Sequence, residues 1–246
     1  MLRTREKVLA GIPCFEIFEP ETTSYAEIIL YHGWGSHAVK QCFRGHLLAS
    51  FGYRVIVPEI AGHGVRGTLN YETASSVGDF LQVLVQSIEE CVQLAREALT
   101  PGQSHFLVGH SLGGMIALGA AGQLHEYLNG IAAMNSSANW SDPLALMQGV
   151  YSGQSNLASI LAQEKVQITL EALNVFDPAH WQDNQVKVPV LLTNGALDHT
   201  LPAVFNTAFC ECCQNNHVKQ IVFPDAGHVV TDGMLSEVVN FIEEHR

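Results

Sequence analysis

The 246-residue chain has 47% hydrophobic residues and no linker, internal repeat or charged tract, so we expect a single domain over residues 1–246. Its 12 Lys and Arg residues against 24 Asp and Glu give a formal net charge of −12, which argues against a nucleic-acid backbone or an anionic membrane as partner. The sequence shows no export signal and no membrane-spanning stretch, and its six cysteines are scattered, so we expect a cytoplasmic location.

The N-terminal region predicts a β-hairpin. Residues 7–12 and 14–19 have the pattern of short strands, and a single turn at Pro13 separates them. Strands joined by so short a connection pair antiparallel. We therefore expect an antiparallel hairpin at one edge of a sheet.

Six short apolar runs predict the other strands. They are residues 27–31, 53–57, 105–108, 131–134, 188–192 and 220–223. Nearly continuous apolar runs are typical of strands buried on both faces of a parallel sheet. Helical patterns lie between or after them, at 77–95 with Ser75 or Ser76 as cap, at 113–121 and at 234–244. This alternation predicts an α/β fold with a mostly parallel central sheet, helices on both faces and ligands bound at the carboxyl ends of the strands.

A Gly-x-Ser-x-Gly motif follows the third of these runs. It reads Gly109-His110-Ser111-Leu112-Gly113 and leads directly into the helical pattern of small residues. In a strand–turn–helix setting such a motif holds the serine in a strained backbone conformation with its hydroxyl exposed. Gly109 and Gly113 are expected to permit the close backbone approach at the bend. Ser111 is therefore the candidate nucleophile.

The segment at about 139–180 predicts a small helical cap inserted between two strands. Its apolar residues are too numerous for a solvated loop and fall at loosely helical spacing. They are Trp140, Leu144, Met147, Val150, Tyr151, Leu157, Ile160, Leu161, Leu170, Leu173 and Phe176. We expect this cap to place apolar groups over Ser111 and to supply substrate specificity.

A serine nucleophile needs a base that takes its proton, and histidine suits that task near neutral pH. His228 is the preferred candidate because it ends the loop after the last apolar run, at the predicted catalytic edge of the sheet. His199 is the alternative, although it directly follows the preferred acid.

The third member must be a carboxylate that orients the imidazole. Asp198 is preferred because it follows the run at 188–192 and therefore emerges at the same edge. Asp225 and Asp142 are weaker options, since Asp225 is only three residues from the histidine and Asp142 is placed to cap a helix. The chain order serine, aspartate, histidine is the order found in α/β-hydrolases.

Acyl transfer also requires donors for a developing oxyanion. The backbone N–H of Leu112 is one candidate, because it follows the nucleophile at a helix N-terminus. The other is the N–H of Trp34, in the loop His32-Gly33-Trp34 after the run at 27–31, with its ring as a wall of the pocket.

Together these motifs resemble the α/β-hydrolase superfamily over nearly the whole chain, including Asp198 with Pro202 four residues on and Gly227-His228. Within it the chain is similar to small intracellular bacterial carboxylesterases related to dienelactone hydrolases and the prolyl-oligopeptidase catalytic domain. One loop departs from the family pattern, since Glu59-Ile60-Ala61-Gly62-His63-Gly64 stands where members often show Asp-x-Pro-Gly-x-Gly.

The expected function is a serine hydrolase that cleaves small carboxylic esters through an acyl-enzyme intermediate. A thioesterase, amidase or aminopeptidase with the same triad remains open, as does a noncatalytic hydrolase-like protein that binds a ligand. No cofactor is expected, because three side chains and two amides supply every proton and charge-stabilising role. No metal is expected either, since Cys210, Cys212 and Cys213 lack a second Cys/His pair at zinc-site spacing.

Overall fold

The computed structural model describes residues 1–21, 24–73, 76–181, 187–213 and 218–246. Within these ranges the strands are β1 Arg3–Leu9, β2 Ile12–Phe18, β3 Ala26–Tyr31, β4 Arg54–Pro58, β5 Ser104–His110, β6 Gly130–Met134, β7 Val190–Gly195 and β8 Val218–Phe223. They form one sheet in the order β1-β2-β4-β3-β5-β6-β7-β8. The pairs from β4 to β8 are parallel, whereas β1 with β2 and β2 with β4 are antiparallel. The predicted fold class is confirmed.

The N-terminal hairpin is antiparallel as predicted, but the predicted turn at Pro13 is wrong. Leu9 pairs with Ile12, so the loop consists of Ala10 and Gly11, both with positive φ, 50° and 77°. Two-residue loops of this kind match the twist of the flanking strands. Pro13 instead lies within β2, where its carbonyl accepts a hydrogen bond from the Glu59 N–H at 2.9 Å. The sequence did not indicate this turn, because alanine rarely adopts the positive φ that Ala10 has here.

The helices follow the predicted alternation. They are α1 Ala38–Ala49, α2 Val77–Ala98, α3 Leu112–Leu124, α4 Pro143–Val150, α5 Leu157–Leu161, α6 Glu164–Asn174, α7 Thr207–Cys212 and α8 Asp232–His245. Of the two candidate caps of α2, Ser75 lies outside the described residues. Ser76 occupies the N-cap position but makes no side-chain cap bond, because its hydroxyl donates to the Thr73 carbonyl at 2.5 Å.

Helices cover both faces of the sheet because alternate strand residues point to opposite sides. In β3, Ile29 joins the cluster formed with α2 and α3, whereas Ile28 and Leu30 join the cluster formed with α1 and α8. All three side chains are fully buried. The motif residues at the carboxyl ends of these strands therefore sit on a rigid, doubly covered scaffold.

The insertion between β6 and β7 contains α4, α5 and α6, within the segment predicted as a cap. Most of its apolar side chains join the same core cluster as α2 and α3. Gly78 of α2 faces Val166 of α6, and Gly149 of α4 leaves room for the Thr200 carbonyl, which a Cβ would meet at 2.0 Å. The insertion is thus anchored to α2 and to the loop after β7.

Among the helices of the described residues, none combines the length and the apolar character needed to cross a membrane.

Candidate active site

Ser111 stands at the sharp bend between β5 and α3. Its backbone has φ 56° and ψ −121°, a region that side-chain-bearing residues rarely adopt. The bend is held on both sides, because the Ser111 N–H donates to the Met134 carbonyl at 2.9 Å and the Ser111 carbonyl accepts from the Ser136 hydroxyl at 2.8 Å. This backbone presents the Ser111 side chain at the carboxyl edge of the sheet.

The two motif glycines are required by backbone contacts. A Cβ at Gly109 would lie 2.1 Å from the Gly113 carbonyl carbon, and a Cβ at Gly113 would lie 2.6 Å from the carbonyl oxygens of Tyr31 and His32. Such distances exclude any side chain without movement of the main chain. The start of α3 is therefore pressed directly against the end of β3.

The structure brings Ser111, His228 and Asp198 together. His228 Nε2 lies 3.0 Å from Ser111 Oγ, and His228 Nδ1 lies 2.7 Å from Asp198 Oδ2. Asp198 is 3% exposed and Ser111 8%. Because an ionised carboxylate only accepts hydrogen bonds, the Nδ1 proton faces Asp198 and Nε2 is left to accept from the serine hydroxyl.

Asp198 is itself held in place. Its other oxygen, Oδ1, accepts hydrogen bonds from the backbone N–H groups of Thr200 and Leu201 at 2.8 and 3.0 Å. Both carboxylate oxygens are thus used, one by the loop and one by His228. The loop after β7 fixes the carboxylate before any ligand arrives.

The alternative candidates lie elsewhere. His199 and Asp225 have exposed side chains, and neither makes a hydrogen bond with the other candidates in the described part of the chain. Asp142 caps α4, where its side chain accepts from the Ala145 N–H at 3.0 Å. Asp142 is therefore a helix N-cap residue, as its place in the sequence suggested.

The two residues proposed to supply the oxyanion donors lie close to the serine, since Leu112 follows it in the chain and Trp34 lines the same cavity as Ser111. Leu112 is the first residue of α3, so its N–H has no partner within the helix. The loop carrying Trp34 packs on the bend, since a Cβ at Gly33 would lie 3.2 Å from Ser111 Cβ. The Trp34 ring is fixed by Tyr71, whose carbonyl accepts from its Nε1 at 3.1 Å.

The loop that departs from the family pattern supports this donor loop. Glu59 is 3% exposed, and its Oε1 lies 3.0 Å from His32 Nε2 and accepts from the Ala38 N–H at 3.0 Å. Burial raises the pKa of Glu59, but the hydrogen bonds with His32 and Ala38 outweigh it and hold the pKa below its ordinary value. His32, fully buried, also lies with Nδ1 3.0 Å from the Gly33 carbonyl. Glu59 was not singled out by sequence reasoning.

Two further histidines stay neutral beside the site. His63 Nε2 accepts from the Gly35 N–H at 3.2 Å, and burial lowers the pKa of His63 to about 4. Burial likewise lowers the pKa of His110 to about 3. His110 Nε2 is buried and has no hydrogen-bond partner among the described residues. Neither ring carries charge near neutral pH.

Asn135 is a positioning residue that the motif search missed. Its side chain accepts from the Gly195 N–H at 2.9 Å and donates from Nδ2 to the Val229 carbonyl at 2.9 Å. It thereby ties the end of β7 to the residue after His228. The polar run Asn135-Ser136-Ser137 directly after an apolar strand was the signal that could have indicated it.

A cavity of about 390 Å³ opens beside Ser111. Its lining residues among those described are Gly33, Trp34, Ser36, Lys40, Phe43, Arg44, His110, Ser111 and His228. The predicted insertion at 139–180, all of it described, contributes none of them. The expectation that the cap places its apolar groups over the serine is therefore not met by this cavity, whose outer wall is α1.

The buried cysteines Cys14 and Cys91 have surroundings unlike those of a reactive thiol. Burial raises the pKa of Cys14 and of Cys91 to about 12, so both thiols stay protonated. Cys210 Sγ donates to Gln220 Oε1 at 3.7 Å, whereas the Cys212 side chain lies outside the described residues. Within the described ranges, no group of three or more His, Cys, Asp or Glu side chains is placed to hold a metal ion.

Comparisons with known proteins show what the chain is similar to. Residues 28–241 match the family model described as "Alpha/beta hydrolase family". "Putative esterase YitV" of Bacillus subtilis (strain 168) is 26% identical over 227 residues, covering 89% of this chain and 88% of that protein. "Esterase YjfP" of Escherichia coli (strain K12) is 26% identical over 261 aligned positions, covering 100% of both chains.

Solved structures show the same fold. The crystal structure of TT1662 from Thermus thermophilus superposes with a TM-score of 0.76 at 22% identity, covering 99% of this chain and 98% of that one. At this identity the similarity is one of fold, and it covers nearly the whole chain.

Proposed function

This chain belongs to the α/β-hydrolase family, and from that premise we propose that it is a serine hydrolase that cleaves small carboxylic esters through an acyl-enzyme intermediate. The observation that carries the proposal is the hydrogen-bonded series Ser111, His228 and Asp198, with distances of 3.0 and 2.7 Å. The esterase names of the two relatives support the same reaction class.

In the first half-reaction Ser111 Oγ attacks the ester carbonyl carbon while its proton moves to His228 Nε2. The carbonyl π bond opens and the oxygen becomes an oxyanion, which the N–H groups of Leu112 and Trp34 stabilise. Asp198 holds Nδ1–H and stabilises the imidazolium. When the tetrahedral intermediate collapses, the bond to the leaving oxygen breaks and His228 returns the proton to that oxygen.

Water reverses these roles in the second half-reaction. His228 Nε2 takes a proton from the water as its oxygen attacks the acyl carbon, and the same N–H groups receive the second oxyanion. The bond to Ser111 Oγ then breaks and the proton passes to Oγ. The products are a carboxylic acid and an alcohol, and the enzyme returns to its starting protonation state.

Two measurements on one variant pair test the proposal. We expect wild-type protein to hydrolyse p-nitrophenyl butyrate and to become labelled by a fluorophosphonate probe, whereas Ser111→Ala loses labelling and its kcat falls by about 10⁶. Ser236→Ala removes an exposed hydroxyl from α8 and serves as the matched control that keeps both properties. Wild-type turnover by Ser111→Ala would contradict the proposal. Failure of the wild type to label would favour a noncatalytic ligand-binding protein.

A further inference from the structure

One wall of the cavity beside Ser111 has no part in the mechanism above. It is formed by Lys40, Phe43 and Arg44, all on α1. Lys40 and Arg44 stand one helical turn apart, where like charges repel each other and destabilise a helix. Two cations on one wall of an active-site cavity are also unusual in a chain with a formal net charge of −12.

Arg44 is held at this wall by a neutral group. Its guanidinium Nη1 donates to Gln41 Oε1 at 2.9 Å. Gln41 is 1% exposed and its Nε2 donates to the Tyr31 carbonyl at 3.2 Å, at the end of β3. The guanidinium is therefore anchored to the sheet edge that carries the donor loop, but its charge is not compensated there.

Other partly buried arginines of the chain have carboxylate partners. Arg54 lies 2.6 Å from Glu16 and 2.8 Å from Glu27, and Arg66 lies 2.7 Å from Glu90. Arg44 has no carboxylate oxygen within 4.0 Å in the described part of the chain, and neither has Lys40. Burial lowers the pKa of Arg44, the direction expected where surroundings remove water without supplying a counter-ion.

Such a guanidinium favours an anionic ligand. A planar guanidinium offers paired N–H donors that match a carboxylate, and the bond strengthens where water is partly excluded. The cavity volume of about 390 Å³ suits a small ligand. Phe43 lines the same cavity and adds an apolar surface against which a short hydrocarbon segment can pack.

We infer that Arg44, assisted by Lys40, forms an anion subsite of the catalytic cavity, and that the substrates are small esters carrying a carboxylate on either the acyl or the alcohol side. This inference rests on the proposed function and narrows its substrate class. The carboxylate of the substrate supplies the negative charge that Arg44 lacks among its protein neighbours in the described part of the chain.

Matched substrate pairs test the subsite. On the acyl side, p-nitrophenyl hydrogen adipate is compared with p-nitrophenyl hexanoate, which has the same chain length without the carboxylate. On the alcohol side, p-carboxyphenyl butyrate is compared with its neutral p-carbamoylphenyl analogue. In one of the two pairs we expect kcat/KM to be higher for the anionic ester by about tenfold to a hundredfold, the range of a charge-assisted hydrogen bond. The pair that shows this preference identifies whether the acyl or the alcohol side of the substrate carries the carboxylate.

Variants then assign the preference to the cation. Arg44→Gln is expected to reduce the anionic-to-neutral ratio of kcat/KM to near unity, and Arg44→Lys to keep part of it. Arg96→Gln removes an exposed arginine of α2 and is the matched control that keeps the wild-type ratio. In the wild type itself, added salt is expected to lower the ratio, because screening weakens the interaction between partly exposed charges.

Results that contradict the anion subsite can be distinguished from results that contradict the proposed function. Hydrolysis of both members of each pair at equal efficiency overturns the subsite while leaving the serine hydrolase intact. So does a preference that survives Arg44→Gln or is insensitive to salt. Absence of both fluorophosphonate labelling and ester turnover in the wild type overturns the proposed function and the subsite with it.

Discussion

At the level of single residues, Asp198 is distinguished from the other candidate carboxylates by what its two oxygens contact. One oxygen accepts from backbone N–H groups and the other faces His228 Nδ1 at 2.7 Å. In the proposed mechanism this contact selects the imidazole tautomer that leaves Nε2 free for the serine proton. The side chain is therefore expected to matter for kcat more than for substrate binding.

Asp198→Asn is expected to lower kcat on p-nitrophenyl butyrate by about 10⁴, because the amide can donate to Nδ1 and favours the wrong tautomer. Steady-state kinetics with separate kcat and KM values measure the effect. Asp225→Asn, an exposed carboxylate on the His228 loop, is the matched control and should leave both constants close to wild type. Equal losses in the two variants would remove Asp198 from its assigned role.

Glu59 accepts a hydrogen bond from the Ala38 N–H and contacts His32, so we expect it to act on the site through these residues. Glu59→Gln keeps the shape of the side chain but replaces the carboxylate that lies 3.0 Å from His32 Nε2 with a neutral amide. We expect kcat to fall by about tenfold to a hundredfold with a smaller change in KM, the size expected for loss of a hydrogen bond to a charged group that keeps the donor loop in place. The chain has three tryptophans, so a change in tryptophan fluorescence that is absent in a Trp34→Phe background would report the accompanying shift of the donor loop. An unchanged kcat would exclude a positioning role.

At the level of elements, the contact between α3 and the end of β3 sets how closely the serine and the donor loop approach. The carbonyl oxygens of Tyr31 and His32 occupy the space that a side chain at Gly113 would need. Gly122, in the same helix, is exposed and a Cβ there would meet nothing within 4 Å. The two glycines therefore serve different purposes, although both lie in one helical run.

Gly113→Ala is expected to lower the free energy of unfolding by about 3 kcal/mol, because the new methyl group clashes with backbone that cannot yield cheaply. Gly122→Ala is expected to be neutral or to stabilise by about 0.5 to 1 kcal/mol, since alanine is the better helix former. Urea unfolding followed by circular dichroism measures both. Similar effects of the two substitutions would contradict the proposed packing constraint.

At the level of the whole molecule, buried titratable groups link stability to pH. Burial lowers the pKa of His63 from 6.5 to about 4 and that of His110 from 6.5 to about 3. Burial raises the pKa of Glu16, but hydrogen bonds with Arg5, Lys7 and Arg54 outweigh it and hold the pKa at about 2. In each case the unfolded chain binds protons more readily than the folded one. The group's contribution to the free energy of unfolding is therefore fully present above its unfolded pKa and is lost as pH falls toward its folded pKa.

For the two histidines this loss begins below pH 6.5 and continues toward their folded pKa values. We expect each to cost about 2 kcal/mol of unfolding free energy between neutral pH and about pH 5. His63→Asn should flatten the pH dependence by roughly half over that interval, measured by urea unfolding, since one of the two contributions is removed. His199→Asn, at an exposed position, is the control, and an identical slope in His63→Asn and wild type would contradict the linkage.

Local patterns in the sequence predicted much of this molecule. Continuous apolar runs and the helical spacing of apolar residues are local patterns, and the parallel strands, α2, α3 and α8 that they predicted are confirmed. Motifs in order along the chain predicted membership of the α/β-hydrolase family, which the family model confirms. The roles assigned to Ser111, Asp198 and His228 stay a proposal, although the structure places the three side chains within hydrogen-bonding distance.

Tertiary structure alone decided how distant segments meet. Ser111 and His228 are 117 positions apart, and their 3.0 Å separation depends on the pairing of β5 through β8 and on the contacts of Asn135. The cavity wall formed by α1 and its cation at Arg44 were likewise invisible in the sequence, since nothing local to α1 indicates which loop it faces. The spacing of apolar residues within one element follows from short-range backbone geometry. The neighbours of a charged side chain depend instead on packing between segments that are far apart in the chain.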